Sequence, residues 1–197
     1  MVMSKSKTPS ELRRSRLKHE RIVSAAAGIA GSVGYQAATI EGIASATGVG
    51  KQTIYRWWPS KAELYVETYR HLVAFDVTNV AGATCFEQLH LFLCELFCRY
   101  KSTAAGVILV GLVAESVHNE RVAVAIEQGL FLERSHLLTD PIEEGIANGE
   151  IDGHIDPVWA AEVIIAIIWK RLITSPDKLN PEFSRRILKS ALWSHQK

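Results

Sequence analysis

Residues 39–58 constrain this chain more tightly than any other stretch. Two short segments of helical period, Ile40 to Ala46 and Gly50 to Trp57, are broken apart at Gly48, and the first opens on Thr39, whose hydroxyl suits an N-cap. Within them the small residue Ala44 is followed four positions on by Gly48 and six beyond that by Ile54. This is the skeleton of a helix-turn-helix. Closely crossing helices need a small side chain at the crossing, the tight turn needs a residue tolerant of positive φ, and an apolar plug must fill the wedge. Ile40, Ile43 and Val49 supply the rest of that small core. The spacing by itself fits either a DNA-binding head or a plain helical hairpin.

The outward face narrows the choice. Lys51, Gln52, Thr53, Tyr55, Arg56 and Trp57 crowd the second short helix with donors and polar aromatics. A recognition helix needs such groups, because major-groove edges are read by side-chain hydrogen bonds and phosphates are held by cations, hydroxyls and N–H groups. Lys61 falls in the first turn of the next helix, where a cation opposes the macrodipole and a shared anion would explain its presence. Charge points the same way. Residues 1–70 hold 11 Lys and Arg against 5 Asp and Glu, net +6, whereas residues 71–197 hold 11 against 16, net −5. A basic first third on an acidic remainder suits a polyanion at one end. The arm carrying Lys5, Lys7, Arg13, Arg14, Arg16 and Lys18 is expected to be drawn loosely to phosphates or the minor groove.

The remaining chain keeps helical period throughout, with no alternating run that would mark a strand. A first helix is predicted from Glu11 to Gly34, and a fourth from Ser60 to about Val80. An apolar helix covers Val107 to Val117, a long one spans about Asn119 to Asn148 with a bend at Pro141, and two more open at Asp156-Pro157 and Asn180-Pro181. The expected fold is all-α with about nine helices. Residues 1–66 form the arm and helix-turn-helix domain, and residues 67–197 a helical effector-binding and dimerisation domain. Phe86, Leu89, Leu93, Phe97, Leu109, Leu112, Val113, Leu130 and Phe131 read as effector-pocket walls or simply as core.

Several classes are set aside. With 48% hydrophobic and 22% charged residues the chain is globular, and its 3 cysteines make no disulfide framework. The polar, basic start does not read as a signal peptide, and the longest apolar runs fall far short of the roughly 20 residues that span a bilayer. A soluble, cytoplasmic protein without membrane association is expected. No GxSxG elbow, P-loop, dinucleotide fingerprint or HExxH occurs, so no enzyme is expected. His90, Cys94 and Cys98 recur every four residues on one helix face, placed to meet a soft metal or an oxidant, or else to act as small core residues. They lack an evident fourth ligand, and neither metal nor cofactor is expected.

The run TIEGIASATGVGKQTIYRWWPSKAELYVETY resembles the DNA-binding signature of the tetracycline-repressor (TetR) family of bacterial transcriptional regulators, over about residues 17–70. This chain departs from the family habit in placing Trp58 where Phe or another hydrophobe is usual. Residues 119–195 resemble one C-terminal subfamily more loosely, through the run ending GIANGEI and through WKRLITS. The resemblance implies a DNA-binding head of three helices, an effector pocket enclosed by the others, and a homodimer through the last two. It implies base-edge reading by Lys51, Gln52, Thr53 and Arg56 and phosphate contacts from Thr39, Tyr55, Trp57 and Lys61. Val163, Ile167, Trp169, Phe183, Ile187 and Leu192 are then the expected dimer contacts. The implied partners are a double-stranded operator and a small-molecule effector, and the implied activity is repression relieved by that effector. A DNA-binding accessory protein without an effector, and a helical interaction module or enzyme, are the alternatives.

Overall fold

The computed structural model describes residues 9–75, 83–132 and 134–193, with side chains from Ser15 onward. Lys5, Lys7, Arg13 and Arg14 of the basic arm therefore lie outside the described side chains. The described residues are helical with no strand: α1 (Pro9–Ala37), α2 (Ile40–Thr47), α3 (Lys51–Trp57), α4 (Lys61–Leu72), α5 (Cys85–Ser102) and α6 (Ala105–Ser116). They continue with α7 (Glu120–Ile126), a π-helical turn (Glu127–Leu132), α8 (His136–Ala147), α9 (Pro157–Thr174) and α10 (Pro181–Leu192).

The boundaries follow local chemistry. Gly34, at φ 81°, ends the regular part of α1 where the sequence places its stop. Thr39 caps α2 by accepting from the Gly42 amide, and Gly48 closes α2 at φ 66°, a left-handed conformation that a side chain disfavours. Ser60 and Thr84 each form a reciprocal capping box, with Glu63 and Glu87, at the starts of α4 and α5. Asp156 and Asn180 cap α9 and α10, each with proline in the first turn, as expected.

Two expectations need correction. The fourth helix ends at Leu72 rather than near Val80: the Val73 amide closes the last turn on the Tyr69 carbonyl, and Arg134 takes up the Val73 carbonyl at 3.1 Å. The expected long helix over residues 119–148 is divided into α7, the π-helical turn and α8. Its break lies not at Pro141, which sits inside α8, but where the π-helical turn ends and the amides of Arg134 and Ser135 both bond to the Phe131 carbonyl. Phe131 lies within the π-helical turn and Arg134 just beyond it, and such turns are frequent at functional sites.

The core runs through α6, whose Ile108, Leu109 and Leu112 are fully buried, and α1 and α4 pack against it. Gly111 makes the α1–α6 approach feasible, since a Cβ there would come within 2.4 Å of Tyr35. On the far side α5 packs on α8 and α10, and α9 on α8 and α10. No single described helix is long and apolar enough to cross a membrane.

Candidate nucleic-acid interface and internal cavity

The helix-turn-helix is present in three dimensions. Ile54 and Ile43 are fully buried, Ile40 nearly so, and Ala44 and Val49 pack half-buried against them. This plug leaves α3 one side to present to the solvent. Lys51, Gln52, Tyr55 and Arg56 lie exposed on it, with Thr53 and Trp57 half-buried. Thr39 is exposed as well. Its oxygen accepts from the Gly42 amide at 3.0 Å, which leaves its hydroxyl proton for another acceptor.

Lys51 reaches back to Glu41 on α2, with Nζ 3.1 Å from Oε1. Both side chains are more than half exposed, at 53% and 62%. So exposed a pair is weaker than a good base-edge contact and can yield to DNA. Lys61 differs. Its ammonium lies 4.2 Å above the Tyr35 ring and donates to the Gln36 carbonyl at 3.3 Å, fastening the start of α4 to the end of α1. Burial pushes its pKa down, while Glu115 opposes that shift. An ammonium has three donors, so this arrangement leaves others for a phosphate.

The sequence reading missed the clamp behind the head. His19 of α1 pairs with Glu67 of α4 at 2.8 Å, and its ring lies 4.8 Å from that of Trp58. The Trp58 indole N–H donates to the same carboxylate, and Trp57 packs edge-on to Trp58 at 5.7 Å. Arg21 donates to the Thr47 carbonyl at 2.8 Å, satisfying the C-terminal end of α2. The tryptophan pair in the signature run was the visible signal. Nothing in its spacing pointed to His19.

Behind the clamp, α4 passes a small, partly open cavity between α4, α5, the π turn, α8 and α9. Its walls include Tyr69, Phe92, Leu96, Tyr100, Leu130, Arg134, Ile165, Ile168 and Trp169. Among the expected pocket residues Leu93, Leu130 and Phe131 line it. Phe86 and Val113 are half-buried and absent from its walls, and Leu89, Phe97, Leu109 and Leu112 belong to the core. Tyr69 and Tyr100 join their hydroxyls at 2.8 Å inside it, and burial pushes the Tyr69 phenol up to about 12. Phe131 and Trp169 pack at 5.0 Å and also line an outer groove between α9 and the π turn, so this pair is the partition between cavity and surface.

The remaining assignments fall on the last helices. Ile187 and Leu192 are buried in the chain's own core, Phe183 packs on Phe97 and under Arg171, and Trp169 is taken up by Phe131. Val163 is half-buried and Ile167 is 40% exposed. The outward apolar surface of α9 is Val158, Trp159, Ile167 and Ile173. In the cysteine stripe, His90 Nδ1 lies 2.9 Å from Ser184 Oγ and Cys94 Sγ 3.7 Å from the same ring nitrogen, while Cys98 is exposed. Among the described residues no three His, Cys, Asp or Glu side chains are grouped to hold a metal.

Comparison with known proteins agrees with this architecture. Residues 22–68 match the family described as bacterial regulatory proteins, tetR family, and residues 85–191 match the tetracyclin repressor-like C-terminal domain. The chain is 25% identical over 173 residues to the HTH-type transcriptional regulator YdeS of Bacillus subtilis, covering 88% of this chain and 87% of that protein. It is 36% identical over 100 residues to the HTH-type transcriptional repressor KstR of Mycobacterium tuberculosis, a match covering 48% of this chain and 44% of KstR. The fold is similar to that of the transcriptional regulator FadR from Bacillus subtilis, solved in complex with stearoyl-CoA, at a TM-score of 0.69 and 20% identity, over 90% of this chain and 100% of that one.

Proposed function

The chain belongs to the TetR family of bacterial transcriptional regulators, and from that premise we propose that it is a homodimeric, cytoplasmic repressor released from a near-palindromic operator by a small-molecule effector. The observation that carries this reading is the path of α4. Lys61 in its first turn and Glu67 hold α1 and Trp58 of the reading head, and Tyr69 with the C-capping Val73 lines the cavity, so one element touches both sites. On this reading the division between head and effector domain falls inside α4, near residues 66 and 67. Lys51, Gln52, Thr53 and Arg56 read base edges, and Thr39, Tyr55, Trp57 and Lys61 hold phosphates. No catalytic role is assigned to any residue.

The exposed α9 face of Val158, Trp159, Ile167 and Ile173 supports a second copy of this chain as partner, with α10 alongside. A two-fold dimer carries two heads, so its operator has half-sites at least about 34–36 Å apart along the duplex. Two measurements test the whole. Selection of bound sites from random DNA is expected to return a near-palindrome, and sedimentation at micromolar concentration a dimer. A monomer bound to an asymmetric site overturns the reading. A mobility shift that no small molecule reverses, from a screen that includes acyl compounds, favours a DNA-binding accessory protein instead.

A further inference from the structure

The polar lining of the cavity is one-sided. Its polar side chains are Tyr69, Tyr100, Arg134 and Trp169; each can donate a hydrogen bond, and none carries negative charge. Tyr69 and Tyr100 share a single hydrogen bond of 2.8 Å, and two hydroxyls joined by one bond leave one O–H proton over. Arg134 gives one N–H to the Val73 carbonyl at 3.1 Å. Among the described residues it meets no carboxylate within ion-pair distance. Its charge is felt at both tyrosines, where it works against the effect of burial. A guanidinium does not deprotonate in response to burial, so the chamber keeps a positive charge and surplus donors facing apolar walls. Groups of this kind are stable inside a protein when acceptors or a counter-charge meet them.

We propose that the cavity takes a hydrophobic carboxylic acid as its anion, the carboxylate gripped by Arg134 and the spare tyrosine proton and the hydrocarbon body set against Phe92, Leu96, Leu130 and Ile168. The proposal rests on the effector reading above and deepens it by naming the ligand class. Two carboxylate oxygens match the planar fork of one guanidinium, with one hydroxyl proton beside it. A thioester offers no charge at that end of its acyl chain, and a phosphate monoester brings about −1.5 to −2 of charge to a site that holds a single cation. Access runs through the Phe131–Trp169 partition, which the outer groove reaches from the surface. The site also reports to the head by chemistry already present. The guanidinium that would hold the carboxylate is the one that holds the last turn of α4 through Val73, so a ligand that draws Arg134 toward itself pulls on that turn.

Calorimetry on the full chain with decanoate, methyl decanoate and decanoyl-CoA tests this, with Arg134→Met, Arg134→Lys and Tyr100→Phe as variants. Decanoate is expected to bind at least about tenfold more tightly than its methyl ester, since a paired buried charge discriminates strongly against a neutral analogue. Arg134→Met should erase that preference while leaving the ester's affinity alone, a result that general loss of packing does not produce. Arg134→Lys should keep part of the preference, and Tyr100→Phe should weaken the acid by about three- to tenfold with the ring still in place. Equal binding of acid and ester, binding of the thioester alone, or no binding of any probe overturns the proposal. Operator mobility shifts run in parallel separate the two readings: acid that binds with this specificity yet leaves DNA bound supports the ligand class and sinks the effector role.

Discussion

At its start α4 is held by several partners: Ser60 and Glu63 three residues apart, Trp58 and Glu67 nine apart, Lys61 and Gln36 twenty-five apart, and His19 and Glu67 forty-eight apart. At its end it is held by Arg134, sixty-one residues from Val73. The first set consists of a capping box, an aromatic clamp and a cation over a ring, several contacts that share the load. The second is one guanidinium with donors to spare beside an apolar chamber. A helix with one end fixed by several contacts and the other held at Val73 by a single side chain and at Tyr69 by one hydroxyl pair can be moved from the second end without dismantling the first. The head and the cavity should then be separable by mutation.

The strongest attempt to break that separation is Ile54→Ala. Ile54 is fully buried between α2 and α3, and large-to-small changes of this kind cost about 2–5 kcal/mol. Operator binding should vanish in a mobility shift while decanoate still gives its calorimetric signal. Loss of both signals in a chain that remains helical by circular dichroism would make head and cavity one cooperative unit.

A second, intermediate effect divides the two lysines of the head. Lys51→Ala should lose about 1–3 kcal/mol at the cognate operator and little on a scrambled duplex. Lys61→Ala should weaken both duplexes alike and reduce the salt slope by about 0.9 for each phosphate that the ammonium had neutralised. If the slope of Lys61→Ala is unchanged, the residue only fastens α4 to Gln36 and is no anchor. Smaller again is Ser60→Ala, which removes half of a capping box and should cost about 1 kcal/mol. Hydrogen exchange at the Glu63 amide should quicken, with exchange near Val73 unaffected.

The same contrast explains what the sequence made legible. Thr39, Gly48, Ser60, Asp156 and Asn180 act within a turn or so of their own position, and their roles as caps and breaks can be read from neighbours in the chain. The donor-rich face of α3 is legible for the same reason. The cavity is not, because Tyr69, Tyr100 and Arg134 come from three separate elements and nothing in their spacing joins them. The apolar stripe of α5 misleads in the other direction. Leu89 and Phe97 look like pocket walls but are core, Leu93 on the same stripe does line the cavity, and Phe92, Leu96 and Tyr100 complete the wall from this helix. Helical period tells which residues turn inward. It does not tell whether a ligand or another helix waits there. Ile187 and Leu192, expected at the dimer face, turn toward the chain's own core by the same ambiguity.

The smallest effect, and the finest test of the head, is Glu41→Gln. Glu41 stands in the first turn of α2, where a carboxylate suits the helix dipole, and its pKa is lowered first by its own backbone hydrogen bond and then by Lys51. It holds Lys51 at 3.1 Å, and if Lys51 reads a base edge as proposed, Glu41 must release it on DNA. Removing its charge should therefore lower the melting temperature slightly, since a favourable interaction with the dipole disappears, yet raise operator affinity by about two- to fivefold, the size of a weak exposed ion pair. Two quantities moving in opposite directions mark a residue that competes with DNA for Lys51. The cognate site should gain more than a scrambled duplex, because only there does the freed ammonium find its base edge. If both duplexes gain equally, Glu41 acts by general repulsion from phosphates. If stability and affinity fall together, Glu41 belongs to the reading face itself, and the Lys51 pair is part of how that face is aimed rather than a restraint on it.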